Sequence, residues 1–333
     1  QDARMPTIKI FDVEKIQTIV DLAGFDPQIS FGEPSPEERR LRYLSAMASD
    51  PRRGERDLLV ADAAIMTELH RLEALAPNLS DVIGVIIRAA TLSFLTGSPL
   101  SIPPILLLGP PGVGKSHFAR RLAAALGVPF IEHAMNLSDD PGVLVGHSAS
   151  WRAARAGLLA DTLIEGSSAS PIVFIDEIDK PLWRDHGDPL DIFHTLLEPE
   201  NALSFVDAYI EAPLRADAVF YFAAANDVTC LGAPLRDRFL IINVDRPDAT
   251  ARNAIAQAQY AQALAASNAP LEPELSQAAV AALGEASPRQ ARLILGLAVA
   301  SAVSAQQCRV TAADVTAAAA LVSGGKKKDR MGF

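Results

Sequence analysis

Eight consecutive residues of the 333-residue chain carry a phosphate-binding pattern. Gly109, Pro110, Pro111, Gly112, Val113, Gly114, Lys115 and Ser116 read G-x-x-x-x-G-K-[ST], and His117 follows directly. The glycines let backbone N–H groups turn inward around phosphate oxygens. An apolar run, Ile105 to Leu108, precedes the pattern, and a helix is expected from His117 to Leu126. A helix N-terminus adds positive potential where a phosphate would sit. Lys115 supplies a point charge for β- and γ-phosphates, and the Ser116 hydroxyl is a ligand for Mg²⁺. A glycine-rich turn could match by chance; the strand before it and the helix after it favour the phosphate reading.

Asp176 and Glu177 come next in the argument, at the end of the apolar run Ile172-Val-Phe-Ile175. A strand that delivers two adjacent carboxylates beside a phosphate loop divides them by role. Asp176 would hold Mg²⁺ through water, and Glu177 would orient and deprotonate an attacking water. Beyond a further strand, Asn226 precedes Asp227; it reads either as a polar group positioning the same water or as a turn former. Arg238, in Pro234-Leu-Arg-Asp-Arg238-Phe239, cannot easily reach its own phosphates. It reads as a finger for an adjacent subunit's phosphates or as a surface partner of Asp237. Arg289 opens a later helix, from which it could touch the γ-phosphate from the other side, or it is a surface arginine.

These groups need a scaffold. Short apolar runs at 105–108, 129–131, 172–175, 218–222 and 240–244 alternate with helical segments. Continuous apolar strands with helices between them predict a parallel sheet covered on both faces, an α/β fold. Residues 1 to about 35 read as a loose lead-in, and Pro36 to about Leu75 as helical, with Leu58, Leu59, Ile65 and Leu69 on one face. Asp81 is expected to cap a helix from Val82 to Leu95. After Pro247 the chain becomes alanine-rich and helical, with Thr311 as an N-cap. The expected divisions are an N-terminal, partly helical segment (1–79), an α/β nucleotide domain (80–246), a small helical lid (247–322) and a basic tail (323–333).

Composition narrows the classes. Formal net charge is −10, spread along the chain, and no basic patch is interleaved with aromatics, which disfavours a nucleic-acid surface. Cys230 and Cys308 stand far apart, without metal-ligand spacing, so a reducing, cytoplasmic setting is the default. Gln1 to Ile10 lacks the apolar core of a signal peptide, and the two strand runs around 105–108 and 172–175 are too short to span a bilayer. No membrane insertion is expected. The first residue is not methionine, so an N-terminal piece is expected to be missing.

In motif order the chain resembles the AAA+ superfamily over roughly residues 80–322. More locally it resembles the ATPase module of Lon-type proteases, through Gly109–Ser116, Asp176-Glu-Ile-Asp-Lys180, Gly187-Asp-Pro189, Leu196-Leu-Glu-Pro-Glu-Asn201, Phe205-Val-Asp-Ala-Tyr209 and Pro234–Arg238. The resemblance implies a P-loop fold followed by a lid, with ATP and Mg²⁺ as cofactors. Lys115 and Ser116 would belong to Walker A, Asp176 and Glu177 to Walker B, Asn226 to sensor 1, Arg238 to the arginine finger and Arg289 to sensor 2. For Arg289 the context is Ser-Pro-Arg in place of Gly-x-Arg. Such modules form homo-oligomeric rings, usually hexamers.

The segment Gly146-His-Ser-Ala-Ser-Trp151-Arg152 resembles a pore loop whose aromatic grips an extended polypeptide. Trp151 could instead be a core anchor, though its neighbours are small or charged, and Trp183-Arg184 could lie on a second loop or not. The Ser-Lys protease domain of the family would have to follow the lid, and the chain ends soon after it, so an ATPase without its own protease is expected. A protein remodeller or unfoldase is the leading expectation. The alternatives are a nucleotide-gated switch recruiting a partner and, less favoured, a nucleic-acid motor. The Lys326–Lys328 run reads as solvated, Met331-Gly-Phe333 as a docking peptide or a free end, and residues 1–79 as substrate or adaptor recognition.

Overall fold

Apolar runs of four to six residues, too short for helices, become the central sheet of the computed structural model. The structure describes residues 5–26, 33–136, 142–151, 153–180 and 188–323. Among these the strands are β1 (Thr7–Lys9), β2 (Glu55–Asp57), β3 (Ile105–Leu108), β4 (Phe130–Ala134), β5 (Ile172–Asp176), β6 (Phe205–Val206), β7 (Pro213–Leu214), β8 (Phe220–Ala225) and β9 (Leu240–Asn243). Five form one parallel sheet in the order β4-β5-β8-β3-β9, while β1–β2 and β6–β7 pair as small antiparallel ribbons.

Strand order puts β8 between the phosphate-loop strand β3 and the acid strand β5. Leu108 stands opposite Ala225, and Ile175 opposite Ala223. All six residues of β8 are buried, and its last three are alanines. The run expected over 218–222 therefore lies further on in the chain. Alanine is a poor strand former in the open, but all three are buried here in the middle of the sheet.

Two compact units are present. One comprises Gln1–His70, Val82–Gly109 and Ser116–Asn243; the other comprises Arg71–Asp81, Pro110–Lys115 and Val244–Phe333. The described residues among the first 70 thus belong with the sheet. Ile10, Phe11, Ile16, Val20, Leu41 and Leu44 join one core with Leu106, Val173 and Ile175. The loose lead-in expected over 1–35 is corrected for residues 5–26. Asp12 caps the helix Val13–Leu22, whose Val13, Ile16 and Val20 repeat at helical spacing on the buried face. The helical stretch expected from Pro36 to Leu75 is also interrupted. Helices Pro36–Ala48 and Ala63–Leu75 flank a turn through Gly54, φ 80°, and the strand β2, so Leu58 and Leu59 are not helical.

Charged groups fasten this region. Arg56 is 2% exposed, donating to the carbonyls of Leu163 and Ile164 and pairing with Asp50 at 2.8 Å. Arg40 donates to the carbonyls of Tyr209 and Ile210 at 2.8 and 3.0 Å. The next helix runs Ser80–Thr96, so Asp81 lies in its first turn instead of capping it. With the preceding 3₁₀ turn it is long and apolar enough to cross a membrane, a property core helices share; Val82, Ile83, Ile86 and Ala90 are buried here.

In the second unit, helices Ala249–Ser267, Gln277–Ala282, Pro288–Ser304 and Ala312–Ser323 surround Tyr260, Leu275, Leu295 and Val315. Polar side chains start each helix, including Thr311, which exchanges hydrogen bonds with Asp314.

Candidate functional site

Left-handed backbone shapes the phosphate loop. Gly112 and Gly114 adopt φ of 83° and 104°, where a side chain would be strained. The helix after the loop starts at Lys115, two residues earlier than the expected His117, which is exposed in its first turn. Lys115 is 8% exposed, and its ammonium donates to the Pro110 carbonyl at 3.1 Å, across the mouth of the loop. Asn78, which sequence reasoning missed, donates to the Val113 carbonyl at 3.2 Å and so supports the loop from a separate 3₁₀ turn. Gly109 N–H donates to the Ala225 carbonyl at the end of β8.

The sheet brings Ser116 and Asp176 together: Ser116 Oγ donates to Asp176 Oδ2 at 2.6 Å. Two oxygen ligands this close suit a hard cation such as Mg²⁺, which takes few protein ligands and keeps phosphate and water oxygens as the rest. Glu177 follows with φ 51°, a left-handed backbone rare for a residue with a side chain. That turn swings its carboxylate out of line with β5. Lys180 Nζ donates to Glu177 Oε1 at 2.8 Å, while Oε2 is buried and has no hydrogen-bond partner among the described residues. The carboxylate in turn pushes the Lys180 ammonium's pKa upward, so this lysine stays charged. A buried acceptor without a donor is what a water-orienting group requires before its water arrives.

Asn226 leaves the end of β8, the strand between the two motif strands. Asp179 Oδ2 accepts from the backbone N–H groups of Asn226 and Asp227 at 3.1 and 3.2 Å. The second aspartate of Asp176-Glu-Ile-Asp179 is therefore what fixes the turn carrying Asn226; its position in the motif was legible, its partner was not.

Arg238 pairs with Glu198 at 3.1 Å and donates to the Pro234 carbonyl at 2.6 Å, so its ion partner is Glu198 and not Asp237. In the helical unit, Ser287 and Gln290 form a capping box at the start of Pro288–Ser304, which is the physical reason for Ser-Pro before Arg289. A Cβ on Gly112 would lie 3.5 Å from Ser287 Cβ, which puts this helix start against the phosphate loop. Arg289, in the first turn of this helix, is exposed and without a hydrogen-bond or ion-pair partner among the described residues. Trp151 is 63% exposed, which removes the core-anchor reading. Arg152, Trp183, Arg184, Gly187, the Lys326–Lys328 run and Met331–Phe333 lie outside the described residues.

A parallel sheet with the phosphate loop after β3 and an acid pair after β5, separated by one strand, defines a P-loop nucleotide-binding protein. The comparisons narrow the class. Residues 105–246 match the family "ATPase family associated with various cellular activities (AAA)". Lon protease 4 of Sorangium cellulosum is 34% identical over 221 residues, 65% of this chain and 26% of that protein. The mitochondrial Lon protease homolog of Mus musculus is 32% identical over 218 residues, 65% of this chain and 22% of that protein. Lon protease 1 of Bacillus subtilis is 32% identical over 188 residues, 56% and 23%. This chain thus spans about a quarter of the length of these curated relatives. Among solved structures, a mutant RuvB of Thermotoga maritima aligns with TM-score 0.50 and 16% identity, over 74% of this chain and 69% of that one, a likeness of fold alone. Residues 105–246 thus match the AAA ATPase family and are similar to the ATPase module of Lon proteases, which supports ATP-driven activity.

Proposed function

We propose that this ATPase is a protein remodeller or unfoldase, assembled as a homo-oligomeric ring, that uses Mg²⁺-ATP turnover to pull on a polypeptide. The observation that carries the reading is Trp151, a large aromatic left 63% exposed at the tip of a glycine-bounded loop. An exposed indole, with only the tilted His147 ring beside it at 6.3 Å, can pack against side chains of any sequence, which suits a grip on extended chain. Ser116, Asp176 and Glu177 supply the metal ligands and the base, and Asn226 the second polar group for water. Arg238 is the finger, and its part-exposed pair with Glu198 is weak enough to exchange for a neighbour's phosphate. Assembly is further supported by exposed Leu92, Leu95, Leu293 and Leu297, apolar side chains that a neighbouring copy would cover. Hexamers are the expected ring size. Two free cysteines, both exposed, fit a reducing compartment such as the cytoplasm.

Binding of reduced, carboxymethylated α-lactalbumin in ATPγS tests the reading. Trp151→Ala should weaken binding by about tenfold, the loss of one aromatic contact. Equal binding by both chains would leave Trp151 without the proposed role.

A further inference from the structure

Asp207 is fully buried and takes no part in the nucleotide site. Its carboxylate is spent on backbone. Oδ2 accepts from Gly157 N–H at 2.9 Å, and Oδ1 accepts from Tyr209 N–H at 2.9 Å and Ile210 N–H at 3.2 Å. Burial pushes the carboxyl up from its ordinary pKa, against the pull of these three N–H groups. Such a group is costly to bury and is kept only where its bonds matter.

The bond to Gly157 reaches the base of the Trp151 loop, and the other two hold that base to the turn at Tyr209 and Ile210. The loop leaves the helix Gly142–Val145 at Gly146 and returns at Gly157, before the helix Leu158–Glu165. Gly146 has φ 86°, and a Cβ there would overlap Asp207 Oδ1. A Cβ on Gly157 would overlap the Leu144 carbonyl and lie 2.5 Å from Gly146 N. Only two glycines allow the strands of the loop to meet with a carboxylate wedged against them. Ala208 N–H adds a bond to the Val145 carbonyl at 2.9 Å, and His147 N–H one to the Arg155 carbonyl at 3.1 Å. Nearer the tip, Trp151 N–H donates to the Ser148 carbonyl and Ala154 N–H to the Trp151 carbonyl, each at 3.1 Å.

We propose that Asp207 is a positioning residue for polypeptide engagement, fastening both ends of the 146–157 loop so that Trp151 is presented in one place. The proposal rests on the pore-loop reading of Trp151. It assigns a purpose to the Phe205-Val-Asp207-Ala-Tyr209 motif: the ribbon of β6 and β7 carries the clasp, and Arg40 holds the carbonyls of Tyr209 and Ile210 from behind. A loose loop would have to be ordered each time it met a chain, and that ordering entropy would be subtracted from affinity.

Asp207→Asn keeps the shape but sets an NH₂ donor against Gly157 N–H. Two readings test it. In a Trp183→Phe background, used for spectroscopy because the chain has two tryptophans, Asp207→Asn should lower the fluorescence anisotropy of Trp151 and raise its acrylamide quenching at least twofold. In the natural background it should weaken carboxymethylated α-lactalbumin binding about tenfold, and add nothing when Trp151→Ala is already present. A purely structural loss would instead add to Trp151→Ala. Additive effects, or unchanged anisotropy in a folded Asp207→Asn chain, would overturn the proposal. Should Asp207→Asn fail to fold, Gly157→Ala, which wedges the same junction, reads the same anisotropy and the same non-additivity. If Trp151→Ala alone leaves binding intact, the pore-loop reading fails first, and the role of Asp207 falls with it.

Discussion

Ser116 Oγ donates to Asp176 Oδ2 across 2.6 Å, although sixty positions separate the two residues in the chain. The hydroxyl ends the phosphate loop and the carboxylate ends β5, so the pairing is a product of sheet order. It sets two oxygens where Mg²⁺ would share them with phosphate. Ser116→Ala should therefore weaken the apparent Mg²⁺ affinity of ATP turnover by at least about tenfold. ATPase rates titrated with Mg²⁺ at saturating ATP measure this, and an unshifted titration would contradict the assignment.

On the proposed role, Glu177 would orient water through one oxygen, since Lys180 occupies the other at 2.8 Å. Glu177→Gln should retain ATP binding and lower kcat by about 10²–10⁴-fold, the range for loss of a general base. Equilibrium binding of a fluorescent ATP analogue beside single-turnover hydrolysis separates the two effects. Retained turnover would remove Glu177 from that role.

Arg238→Ala should leave nucleotide affinity nearly unchanged and cut turnover on the order of 10³-fold, as expected for a finger supplied in trans. The wild-type rate per subunit should climb with protein concentration, and the variant's should stay flat. A concentration-independent wild-type rate would argue for a monomeric ATPase. Glu198→Gln is the companion control: the pair it breaks is part-exposed and worth no more than about 1 kcal/mol.

Much of the nucleotide site was legible in the sequence because its chemistry is local. Gly112, Gly114, Lys115 and Ser116 act within one turn, and Asp176-Glu177 within one strand end. Partners across the fold were not legible. Nothing in the order of residues says that β8 lies between β3 and β5, that Asp179 holds Asn226, or that Asn78 reaches the Val113 carbonyl. The N-terminal segment was misread for a related reason: Val13, Ile16 and Val20 are too few for a periodic pattern to stand out between Pro6 and Gly24. Their burial depends on partners outside the segment, Leu41 and Leu44 on the next helix and Leu106 and Val173 on the sheet.

Asp50 and Arg56 give a pH-dependent contribution to stability. Burial pushes the Asp50 carboxyl upward, but the Arg56 guanidinium and the N–H groups of Gly54 and Arg52 outweigh it and hold the carboxyl below its usual range. A folded pKa below the unfolded one means the stabilisation is complete above about pH 4 and is lost as pH falls through the lower, folded value. Asp50→Asn should therefore cost about 2 kcal/mol at pH 7 and progressively less in acid. Urea midpoints at pH 7 and pH 3 measure the gap; a gap independent of pH would show that the charge is not what matters.

The left-handed turn at Glu177 sets the catalytic group against the fold that holds it. A residue with a side chain at φ 51° costs about 1 kcal/mol or more over glycine in that conformation, part of which glycine's freer unfolded chain takes back. Glu177→Gly is thus expected to melt no lower than the wild type while losing its turnover. On the proposed role, this position sets chemistry against thermodynamics: the sheet would rest more comfortably with a residue unable to act as the base, and the strain would be a standing mark of the work the carboxylate is kept to do.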